Sequence, residues 1–95
     1  MRTIHKYQIS ARPHVQLVAT PKDWEPLSVQ AQGNCICIWA LVDTDSRPLV
    51  DRCILVVATG EELPEDAVAE KYLGTAQFLD GGLVWHVFST LGHGV

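Results

Sequence analysis

Ninety-five residues with seven Lys plus Arg against eleven Asp plus Glu carry a formal charge of −4 and suffice for one domain, residues 1–95, around a single modest core. The thin scatter of basic residues excludes a stripe able to neutralise a phosphate backbone, so nucleic acid is not expected as a partner. No stretch approaches the roughly 20 apolar residues of a membrane span, and Met1 to Lys6 leads into strand-like sequence without a signal-peptide core, so a membrane is excluded and a cytoplasm expected.

Thr3 to Ile9 and Val15 to Ala19 read as two short strands, the first an edge with Lys6 and Gln8 pointing outward. Thr20-Pro21-Lys22-Asp23 is a turn, followed by Trp24. Pro26 to Val42 reads as a hairpin whose Gly33-Asn34 loop supplies the Gly that a type II′ turn requires. In that register Ala31 faces Ile36, Val29 faces Ile38 and Leu27 faces Ala40, an all-aliphatic core face. Gln32, Gln30 and Ser28 then lie opposite Cys35, Cys37 and Trp39 on a mixed face that must be covered by another layer or used for contact.

Asn34 to Val42 has no charge and is rich in β-branched residues, so it reads as a strand buried on both faces. After the polar loop Asp43 to Pro48, Leu49 to Thr59 is a further strand. Pairing it back onto Asn34 to Val42 predicts a meander with Cys53 beside Cys37 and Trp39.

Pro64, Glu65 and Asp66 suit the start of a helix, so a short helix or helical turn is expected near residues 64–71. Tyr72 to Leu79 and Leu83 to Ser89 flank an Asp80-Gly81-Gly82 hairpin signal, and the last of these strands is apolar enough on both faces for the middle of a sheet. The tail from Thr90 to Val95 is expected to fray. The fold class is therefore mainly β, a small antiparallel β-rich α+β domain of about six to seven strands built from hairpins.

Chemistry-bearing residues favour structural roles. Cys35, Cys37, Cys53 and His86 could in principle hold zinc, but Cys-x-Cys on a flat strand sets its sulfurs about 7 Å apart along one face, unlike a zinc knuckle. A disulfide between Cys37 and Cys53 would need poor geometry, so reduced thiols are expected. Asp43, Asp45 and Asp51 lack the Gly and distal Glu of a calcium loop. There is no phosphate-binding glycine loop and no nucleophile elbow. No catalytic residue, metal or cofactor is assigned. The binding residues expected are Gln30, Cys37 and Trp39, joined by Trp85 and His86 if the last hairpin shares their sheet. A homodimer would let the mixed face cover its own copy.

At Ile4 to Ile9, Leu27-Ser28-Val29-Gln30, Trp39-Ala40-Leu41-Val42-Asp43, Ala58-Thr59-Gly60, Tyr72-Leu73-Gly74-Thr75 and Gly82-Leu83-Val84-Trp85-His86-Val87-Phe88, the chain resembles a family of short, uncharacterised proteins encoded mainly by bacteriophages and prophages of Gram-negative bacteria. It departs from those blocks at Glu65 to Lys71 and at Gly92-His93-Gly94. The resemblance implies a phage accessory protein in the host cytoplasm and brings no activity, cofactor or site residue with it. The function expected is non-enzymatic binding and blocking of a host protein or a small host-derived ligand. The alternatives are a structural or virion-associated component, and a small enzyme using His86 with a Cys or Asp.

Overall fold

The computed structural model describes residues 1–65, 67–78 and 81–90. Its seven strands are β1 (Arg2–Ile9), β2 (Val15–Thr20), β3 (Trp24–Gln32), β4 (Cys35–Asp43), β5 (Val50–Ala58), β6 (Lys71–Phe78) and β7 (Leu83–Ser89). They form two antiparallel sheets, β1-β4-β3 and β2-β5-β7-β6, packed face to face. Among the described residues no helix is long and apolar enough to cross a membrane.

The alternation of each strand decides its inward face. Ile9, Val29, Ile36 and Ile38 from the first sheet meet Ile54, Val56, Ala76 and Val87 from the second, forming one core cluster. Gly33 turns the β3–β4 hairpin with φ 60°, which only glycine adopts without steric cost. The expected pairs Ala31–Ile36, Val29–Ile38, Gln32–Cys35, Gln30–Cys37 and Ser28–Trp39 are all present. Leu27 is the exception: the register shifts between Pro26 and Ser28, so Pro26 faces Ala40. A proline that cannot donate to the ladder sits naturally beside such a bulge.

The expected meander is not formed. β4 is flanked by β1 and β3, while β5 crosses to the second sheet and pairs with β2 and β7. Cys53 thus faces Leu17 of β2 and stands far from Trp39 and Cys37, with the sandwich between them. β1 is an edge strand and β7 an interior one, as their side chains suggest.

Among the described residues no helix forms between β5 and β6. The helical feature reduces to one turn in which Ala67 N–H donates to Pro64 C=O, Lys71 already belongs to β6, and Asp66 lies outside the described residues. So do Leu79 and Asp80 of the last hairpin's tip and residues 91–95 of the tail expected to fray. β5 and β6 both run antiparallel to β7, and the segment 59–70 carries the chain back along it. Thr59, at the start of this return, meets the outward-facing His86, and Leu55 and Val57, which also alternate outward, are only 0% and 4% exposed.

The sandwich is closed along one side, where β3 runs beside β6 and Gly74 lies directly against Val29. At the opposite side the edges of β1 and β2 flank an open groove of about 340 Å3.

Candidate functional site

The expected binding residues fall on three separate surfaces. Gln30, Cys37 and Trp39 share the outer face of the three-stranded sheet. His86 is on the outer face of the four-stranded sheet, and Trp85, one position away, points inward and packs against the core cluster. The last hairpin belongs to the other sheet, so the five residues do not form one site.

On the first surface Trp39 occupies the middle strand with Lys6 on one side and Ser28 on the other. The next rung is Ile4, Leu41 and Glu25. Among the described residues no strand packs over this face, and Ile4 is 55% exposed. Cys37 is different. Lys6 Nζ donates to Gln32 Oε1 across 2.7 Å, and the rungs of these two residues straddle that of Cys37. The bridge therefore crosses above the thiol, which Gln8 and Gln30 flank, and Cys37 is only 1% exposed. Gln8 Nε2–H donates to Cys35 Sγ at 2.9 Å. Half of the mixed face is thus roofed by the protein's own polar side chains, and the half around Trp39 remains open for contact.

Trp85 belongs to one end of the sandwich, where a cavity of about 300 Å3 is lined by Ala11, Ile36, Phe78, Leu83, Trp85 and the Gly33-Asn34 turn. The Arg12 guanidinium lies over the Trp85 ring, 5.4 Å from its centroid. Arg12 also forms a two-point ion pair with Glu61, whose Oε1 accepts from Ala58 N–H at 3.0 Å, and His14 Nε2 stands 3.6 Å from the same carboxylate. This clamp ties the β1–β2 loop to the end of β5.

The Ala58 N–H bond, with Arg12 next, holds the Glu61 carboxyl below its ordinary value of 4.5. A depressed carboxyl binds protons more weakly when folded than when unfolded, so its stabilising contribution is present above that ordinary value and disappears as pH falls through the folded one. Urea unfolding of wild type and Glu61→Gln should accordingly show a stability gap at neutral pH that closes in acid. A gap that is constant with pH would remove the clamp from the account.

On the third surface His86 Nε2 lies 2.6 Å from Thr59 Oγ and its Nδ1 3.2 Å from Thr75 Oγ, which is also bonded to the Tyr72 hydroxyl. Both ring nitrogens are therefore engaged by hydroxyls that tie the segment 59–70 and β6 to β7. Among the described residues the hydrogen-bond partners of His86 are these two threonines, and neither a Cys nor an Asp is among them. Cys35 and Cys37 lie on one sheet and Cys53 on the other, all three free, and no group of three or more His, Cys, Asp or Glu is placed to hold a metal among the described residues. Asp43 and Asp45 instead face the Met1 ammonium at 3.2 and 2.6 Å.

Two features carry no local signal in the sequence. Arg12 reaches Trp85 only because the β1–β2 loop and β7 meet at the same end. Trp24 is stacked under Arg52 at 5.3 Å and edge-on to Tyr7, with its indole Nε1 the buried polar side-chain atom without a partner among the described residues.

A family model described as a domain of unknown function (DUF7352) matches residues 1–93. The match runs through Glu65 to Lys71 and the start of the glycine-containing tail, the two places of expected departure. No curated protein and no solved structure matches the chain.

Proposed function

We propose that this chain, which belongs to the DUF7352 family, is a non-enzymatic accessory protein of phage or prophage origin that acts in a host cytoplasm by binding and blocking a host protein through the open half of its three-stranded sheet. The observation that supports this reading is Trp39. It stands at the centre of an uncovered sheet face with Ile4 and Leu41 on the next rung and one charge on each flanking strand, Lys6 on β1 and Glu25 on β3. A large aromatic ring in an apolar patch with a polar rim is the composition of an interaction hot spot.

Trp39→Ala tests it. Capture of host protein on the immobilised chain, followed by reconstitution with the purified partner, should show affinity falling by about tenfold to a hundredfold, the about 1–3 kcal/mol of a hot-spot truncation, with the thermal unfolding midpoint lowered only slightly. If Trp39→Ala abolishes folding instead, the ring is a core residue and the reading fails.

The cavity beside Trp85 favours a second reading, retention of a small host-derived ligand, because its size reaches the lower end of ligand pockets and its walls are mainly apolar and aromatic. Native mass spectrometry of protein purified from its host separates the two: a retained extra mass lost in Phe78→Trp, which fills the cavity, supports the ligand. Recovery of the chain in purified virions would favour the virion-associated alternative over both.

A further inference from the structure

We propose that the free edge of β2 pairs antiparallel with β2 of a second copy of this chain about a two-fold axis through Leu17, fusing their two four-stranded sheets into one continuous sheet. Proteins guard sheet edges with charges, prolines, bulges or covering elements, because an open edge templates further pairing. Three of the four edges here are guarded. β1 carries exposed Arg2, His5 and Lys6; β3 has Pro26 and a bulge and runs beside β6; β6 has Lys71 and a register shift between Tyr72 and Gly74.

β2 has none of these devices. Val15-Gln16-Leu17-Val18-Ala19-Thr20 contains no charge and no proline, and its register with β5 is uninterrupted from Val15–Leu55 to Thr20–Val50. Leu17 is 66% exposed, more than any other large hydrophobic among the described residues except Met1.

The pattern is self-complementary. A two-fold axis perpendicular to the sheet keeps each face on its own side, so residues that meet must have the same parity. Centred on Leu17, it sets Leu17 against its own copy, Val15 against Ala19 and Gln16 against Val18, each pair on one face. Two molecules of charge −4 can meet along this strand without opposing like charges, since the strand bears none. The same axis runs the partner's Pro13 to Val15 alongside Ala19 to Pro21. There the groove beside the edge offers Tyr7, Pro21 and Leu49 as an apolar wall. This dimer leaves the Trp39 face free and does not depend on the function proposed for it.

Sedimentation velocity on the full chain at rising micromolar concentration tests the dimer, and engineered cysteines test its register. Wild type should sediment as a dimer. Leu17→Lys, which installs the missing guard at an exposed position, should raise the dissociation constant at least about tenfold while circular dichroism and the unfolding midpoint stay unchanged. Leu17→Cys should cross-link under mild oxidation beyond the wild-type background from the native thiols. Ala19→Cys, whose copies would lie roughly 13 Å apart along the strands, should not. A monomeric wild type, including one that accepts a strand from an unrelated protein, overturns the proposal. So does a dimer that survives Leu17→Lys, or one that cross-links through Ala19→Cys and not through Leu17→Cys.

Discussion

Gly74→Val is expected to be the most destabilising single substitution on the closed side of the sandwich, costing about 3 kcal/mol or more and lowering the unfolding midpoint by roughly 12–24 °C. The reason is space. A Cβ at position 74 would stand 2.7 Å from Val29 Cβ, 2.9 Å from Val29 Cγ2 and 3.3 Å from the Val29 backbone nitrogen, so side chain and main chain of β3 would both have to withdraw. Gly74→Ala should already cost about 1–3 kcal/mol. Because the closest contact is to Cβ, Val29→Ala cannot relieve it, whereas Val29→Gly removes the atom. Each Val29 substitution has its own cost, so the readout is the coupling in a double-mutant cycle measured by urea unfolding. The Gly74→Ala penalty should shrink beside Val29→Gly and persist beside Val29→Ala. A Gly74→Val protein that melts with wild type would mean that β3 and β6 do not approach this closely in solution.

Ile38→Ala should cost about 2–5 kcal/mol, because it deletes a fully buried side chain from the middle strand of the first sheet, between Tyr7 and Val29 and against the opposite sheet. Trp39→Ala, one residue along, removes a larger side chain yet should cost clearly less, since that ring faces out of the sheet. The pair reports register. A slip of one residue exchanges every inward side chain for an outward one, so a larger loss at Trp39 than at Ile38 in thermal unfolding would place β4 the other way round.

The hairpins were readable because their information is local. Gly33-Asn34 marks one turn, the aliphatic and mixed faces follow by alternation, and five of six expected pairs between Leu27 and Ala40 are found. The same local signals delimit β6 and β7 to within one residue at each end. What failed was non-local. β4 and β5 are both apolar on both faces, and a short polar loop between such strands serves a hairpin or a step between sheets equally well. The deciding partners are β1 and β2, tens of residues upstream.

The expected helical segment has favourable end residues but no apolar stripe to pack. Leu63 and Val68 are both substantially exposed, and a piece so short is not stable on propensity alone. The same division holds for the site. The mixed face was legible from alternation, whereas the burial of Cys37 beneath Lys6 and Gln32, and the separation of His86 from Trp39, depend on which strands become neighbours.

β1 and β2 are consecutive in the chain yet complete different sheets, β1 against β4 and β2 against β5. During synthesis both leave the ribosome before the strands they pair with, which follow only with residues 35–58. The pair works as a clip over both layers at once. If it lets go, β4 and β5 become bare edges together, and the two most apolar strands of the protein are uncovered in a single step.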